Sequence, residues 1–286
     1  MTSAMTATSE HSGQALTRAV DGEKAGMDTG PAPLGPILEE LVKRAELAKD
    51  GVWNHINWSG ELEMAAGGSN SSFTLTIGAI ASLILYNGTR YKTFACSGGT
   101  IGASKISGGG NLANSTKYFV YTYDNVGNLD FSISTDVPNA NLSAKQSDSK
   151  YRYLGWFVTD GSGNPLPFVA RRGHYLFRNS YAGAMTDLLV VNTQSPTSAT
   201  NYSFSSLLPS HIRQIKVYWQ LSNTGPTYGT VILGTGGDSA AGHTFTTEGA
   251  AVGGLADVLL DSSRQLFAQV NDAATRVSLW LAGCQE

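Results

Sequence analysis

The chain has 286 residues, a formal net charge of −3, 14% charged residues, 33 glycines and two cysteines. The charged fraction is well below the ~25% of an average soluble domain, while 41% apolar content suffices for a substantial core. Nineteen Lys and Arg provide no concentrated basic face for nucleic acid, and Cys96 and Cys284 are too few for a disulfide framework or a four-cysteine zinc site. The two cysteines could form one bridge, and the sequence leaves that open.

Residues 1–35 are rich in Thr, Ser, Ala, Gly and Asp, lack aromatic side chains and have no hydrophobic period. Such a segment cannot bury enough apolar area to offset its chain entropy, so it reads as an extended polar arm. It has no apolar run behind a basic start, and is therefore not read as a secretory signal. Residues 36–51 read as the single α-helix of the chain. Pro36 opens it, Glu39 and Glu40 occupy the first turn, and Lys49 followed by Gly51 ends it. Leu34, Leu38, Leu41, Ala45, Ala48 and Val52 follow a 4-3-4-3-4 spacing, a heptad seam under three heptads long. That seam fits either a helix packed on its own domain or a neighbour, or a bundle on a symmetry axis.

From residue 52 onward the pattern is β throughout, with short alternating or apolar runs separated by turn residues. The most apolar run, Leu75 to Tyr86, is far shorter than the ~20 residues of a membrane helix. It fits one buried strand, or two joined at Gly78, and no membrane insertion is expected. Tyr118 to Tyr123 and Leu129 to Ser134 flank Asp124-Asn125-Val126-Gly127-Asn128, a hairpin signal. Tyr153 to Thr159 and Pro167 to Ala170 flank Asp160 to Asn164, a second one. Further runs lie at Leu188 to Asn192, Gln214 to Leu221, Thr230 to Leu233, Val258 to Leu260, Leu266 to Val270 and Arg276 to Ala282. The expected fold is all-β: one or two β-sandwich or jelly-roll units, placed at 52–165 and 166–286, behind the arm and helix.

Residue constellations for catalysis are lacking. His11, His55, His174, His211 and His243 are scattered, without metal-ligand spacing, and no GxSxG elbow occurs. Gly98-Gly99, Gly108-Gly109-Gly110 and Gly234-Thr235-Gly236-Gly237 open no helix, so they read as loops and not as phosphate cradles. Glu61 and Glu63 share one strand face, but nothing sets an acid against an apolar pocket that would raise its pKa. No catalytic residue, metal or cofactor is expected, and the chain is not read as an enzyme. Candidate partner or glycan contacts are Tyr121 and Tyr123, on one face of an aromatic-rich strand, and Arg171 and Arg172, in the sole basic cluster.

Three segments together carry a resemblance. They are the hairpin from Tyr118 to Thr135, the run from Tyr151 (Tyr-Arg-Tyr-Leu-Gly-Trp-Phe-Val-Thr-Asp-Gly-Ser-Gly-Asn) through Pro165 to Phe168, and the closing β run ending at Gly283. Their order resembles structural proteins of tailed bacteriophages, particularly fibre, appendage and decoration proteins. The resemblance is good over about residues 70–170. It implies a virion component made in the host cytoplasm, held to tail, adaptor or capsid proteins through its N-terminal arm. With the heptad seam it implies self-association as a homotrimer. Tail fibre or appendage is the leading expectation, with head decoration or head fibre the alternative. A carbohydrate-binding module that contacts a host-surface glycan also fits the aromatic strands.

Overall fold

The computed structural model describes residues 57–58, 60–86, 91–178, 186–225, 228–235, 242–247 and 251–286. The polar arm, the helix expected at 36–51 and all six seam residues (Leu34, Leu38, Leu41, Ala45, Ala48 and Val52) lie outside the described residues.

The fold is all-β. The first six strands are β1 (Asn57–Trp58), β2 (Glu61–Met64), β3 (Leu75–Ile77), β4 (Ile80–Tyr86), β5 (Tyr91–Cys96) and β6 (Gly99–Ile101). The next six are β7 (Lys117–Asn125), β8 (Asn128–Ser134), β9 (Ala144–Lys145), β10 (Asp148–Val158), β11 (Phe168–Arg171) and β12 (His174–Phe177). Then follow β13 (Leu189–Gln194), β14 (Thr200–Ser203), β15 (Gln214–Asn223), β16 (Gly229–Gly234), β17 (His243–Thr247) and β18 (Val252–Leu259). Finally come β19 (Gln265–Val270) and β20 (Thr275–Gln285). Among the described residues there are also two short 3-10 turns, Ala103–Lys105 and Thr186–Leu188. Among the described residues no helix is long and apolar enough to cross a membrane.

A nine-stranded sheet runs β18-β15-β20-β12-β11-β2-β3-β6, with β13 also paired to β20. The sheet β8-β7-β10-β9 packs on one end of it, where Trp156 of β10 meets Tyr175 and Phe177 of β12 at ring separations of 5.1 and 6.3 Å. The sheet β14-β19-β16-β17 packs near the other end, where Trp219 of β15 lies 4.4 Å from Phe245 of β17. A three-stranded sheet, β1-β4-β5, lies against β7, β8 and β10. Two sandwiches thus share one long sheet, and Trp58–Glu286 form a single compact unit. The boundary expected at 165/166 is crossed by that sheet. β11 and β12 follow the boundary in sequence, yet β11 pairs with β2 of the first sandwich on one edge and with β12 on the other.

Local chemistry explains the turns. The β7–β8 hairpin has Val126 and Gly127 at φ 51° and 93°, the pair of positive angles that a two-residue turn with the strands' own twist requires. Asp124 Oδ1 accepts the Gly127 N–H at 2.6 Å and braces it. At 160–164, Asp160 Oδ1 accepts the N–H groups of Ser162 and Asn164, both at 2.8 Å. The second expected hairpin is corrected here. Beyond the short bridge Thr159↔Pro165, the chain leaves β10, and Phe168–Arg171 joins the large sheet between β12 and β2. β9 meets β10 only at Asp148 and Arg152; farther along that edge the Trp156 N–H donates to the Tyr175 hydroxyl at 3.1 Å, not to a returning strand.

Gly155 is the tightest point of the first sandwich. A register shift between Tyr153 and Gly155 lets Tyr153 pair with Tyr121 and Trp156 pair with Phe119. A Cβ at 155 would sit 2.4 Å from Leu62 Cδ1 and 2.5 Å from the Tyr175 hydroxyl, which accepts the Trp156 N–H at 3.1 Å. Overpacking of this kind costs about 1–3 kcal/mol. Gly155→Ala is therefore expected to lower the melting temperature by several degrees, measured by thermal circular dichroism; an unchanged melt contradicts the packing described.

Candidate functional site

The expected contact residues do not form one site. Tyr121 is a correction, because its side chain is fully buried, tilted against Tyr153 at 5.9 Å, and its hydroxyl donates to the Asp136 carbonyl at 2.6 Å. Burial, then the nearby Asp136 carboxylate, pushes its hydroxyl pKa far up, so it stays a donor within the core. Tyr123 is half-buried on the same strand, 4.7 Å from the Tyr151 ring, with its hydroxyl donating to Asp130 at 3.2 Å. Asp130 is pushed up by partial burial, but Lys105 at 2.5 Å and the Phe131 N–H outweigh this and hold its carboxyl below the usual range. Arg171 and Arg172 lie in a different sheet, at the β11–β12 turn. Arg172 and Gly173 take φ 51° and 79°, again a two-residue hairpin, and Arg171 pairs with Glu61 at 3.0 Å.

The feature that sequence reasoning did not find is the outer face of the nine-stranded sheet. Cross-strand pairs set Glu63, Val169, Leu176, Gly283, Lys216 and Asp257 in one row over six strands. Two residues along each strand, Glu61, Arg171, His174, Gln285, Gln214 and Leu259 make the adjacent row. Charges on this face are neutralised in place, since Glu63 bonds Arg178, Glu61 bonds Arg171, and Lys216 bonds Asp257 at 2.9 Å. Gly283 puts no side chain between Leu176 and Lys216. Beside it opens a cavity of about 240 Å³, bounded by His174, Leu176, Gln214, Lys216, Asp257 and Gln285. That is smaller than the ~300 Å³ at which small-molecule pockets begin. The face presents amides, neutralised ion pairs and three well-exposed leucines, Leu176, Leu255 and Leu259. Such a surface suits contact with another macromolecule.

At the end of β20 lies a half-buried polar clasp. The Tyr153 hydroxyl donates to Glu286 Oε1, and His211 Nε2 lies 2.9 Å from that oxygen. The Glu286 N–H donates to the Gly173 carbonyl at 2.9 Å. Burial first, and then the Glu286 carboxylate, pushes the Tyr153 and Tyr175 hydroxyls well up, so both remain protonated. The same two causes push up the Cys284 thiol, which suppresses its thiolate and its reactivity. Cys96 and Cys284 are both free. Lys117 adds a second link, donating to the Ser205 carbonyl at 2.9 Å. Each link ties the first sandwich (Lys117, Tyr153, Gly173) to the segment after β14 or to the end of β20. Among the described residues no group of three His, Cys, Asp or Glu side chains is placed to hold a metal ion.

No protein-family model matches the chain, and no curated protein matches it either.

The clasp makes a testable demand. Glu286→Ala leaves the buried Tyr153 hydroxyl without its acceptor, which costs about 1–3 kcal/mol. Urea unfolding should show that loss with an unchanged denaturant slope, and a midpoint equal to the parent's contradicts the clasp.

Proposed function

We propose that this chain is a non-enzymatic structural component of a tailed-bacteriophage virion, an appendage subunit of tail-fibre type attached through its N-terminal segment. The observation that carries this reading is how the residues of the resemblance are used. In the two signature segments, Tyr118, Phe119, Tyr121, Tyr153, Trp156 and Phe157 are core. Asp124 and Asp160 brace turns. Gly155 admits the Tyr175 hydroxyl. The signature is architectural, and a protein whose most characteristic residues build a rigid body is suited to projection and contact. The low charge of the chain and the neutralised outer face of the long sheet agree with an assembled, outward-facing surface.

A head decoration or head-fibre role uses the same architecture, and copy number separates the two. Quantitative mass spectrometry of purified particles is expected to find a dozen to a few dozen copies for a tail appendage, against hundreds for head decoration. The carbohydrate-binding reading loses its main support with Tyr121 in the core, since a buried ring offers no stacking platform.

The anchor is tested by deletion. Removing residues 1–35 should leave the β body folded by circular dichroism and abolish incorporation into particles. Incorporation at the parent's level contradicts attachment through this segment.

A further inference from the structure

We propose that β18 is a self-pairing edge, through which two copies of this chain join their nine-stranded sheets into one continuous sheet. Among the described residues β18 pairs with β15 alone, so its outer edge presents backbone N–H and C=O groups with no partner. An edge of that kind is a template for another strand unless something blunts it. At the far end of the same sheet, β6 is only three residues long. The seven-residue edge strand β8 is partly capped where the Ser107 N–H donates to the Ile133 carbonyl at 2.7 Å.

β18 has none of these protections. It is eight residues long, and its pairs with β15 run from Gln214↔Leu259 to Leu221↔Val252 without a register shift, so no bulge twists the edge away. Its sequence, Val-Gly-Gly-Leu-Ala-Asp-Val-Leu, contains no Pro and no Lys. Its one charge, Asp257, is neutralised by Lys216 on β15. Leu255 and Leu259 project from this strand 57% and 61% exposed.

The occupant is a second copy because the strand complements itself. In antiparallel pairing about a two-fold axis at Ala256, Leu259 falls opposite Gly253 of the second copy, and Leu255 falls opposite Asp257. The two Asp257 carboxylates do not face each other, and each large apolar side chain meets a small or neutralised neighbour. The contact is isologous, so two copies close it and leave no edge to propagate. It is separate from the threefold seam expected at residues 34–52, and rests on no assumption about where the protein resides.

Sedimentation of the full chain tests the pairing. Leu255→Glu sets a carboxylate directly opposite the second copy's Asp257 at two symmetric places in the contact, and should halve the assembly mass while leaving the circular dichroism spectrum and melt unchanged. An equal mass for parent and variant, or a monomeric parent, overturns the proposal. Hydrogen exchange on the unmodified chain gives a readout independent of variant folding. Paired edges protect every amide from 253 to 259, whereas exchange of alternate amides at free-peptide rates overturns it.

Discussion

The strand β20 is the constraint on which the rest depends. It has β15 along one edge and, along the other, first β13 and then β12. β15 belongs to the second sandwich and β12 to the first, so the two halves share this strand. Its residues from Val277 to Cys284 are buried without interruption, which is how a strand reads when both of its faces are covered. Glu286, just past its end, then closes the polar clasp with Tyr153 and His211. Hydrogen-bond ladder, apolar packing and clasp all act at the same place, so the sandwiches are coupled as one body.

That coupling determines what the surface has left to offer. The aromatic side chains crowd inward, as with Tyr121 against Tyr153 and Trp219 against Phe245. Hairpin tips are closed by turn geometry, with Asp124 and Asp160 engaged in bracing backbone N–H groups. What remains outward is broad and chemically quiet: paired charges, amides, a shallow cavity, and a bare strand edge.

Much of the body was legible because local signals and tertiary demand agreed. The alternation at 214–221, the Asp-Asn-Val-Gly-Asn turn and the break at Gly78 all name strands or turns that the chain forms. Hairpin logic, which favours the nearest strand in sequence, pairs Pro167 to Ala170 with Tyr153 to Thr159. The strand formed there, β11, pairs instead with β2 and β12. β18 was glimpsed only at Val258 to Leu260, since Gly253 and Gly254 erase the β signal that pairing with β15 supplies. Alternation shows which residues share a face without showing what covers that face, so the pattern around Tyr121 names a contact residue where the fold has a core one. The outer rows and the clasp join residues more than a hundred positions apart, such as Tyr153 and Glu286, and no local pattern encodes them.

The central claim is that one shared strand makes the two sandwiches a single cooperative body. Differential scanning calorimetry of the intact chain tests this most directly. The account predicts one endotherm for residues 58–286 with equal calorimetric and van't Hoff enthalpies. Two resolved transitions, one for each sandwich, would contradict it.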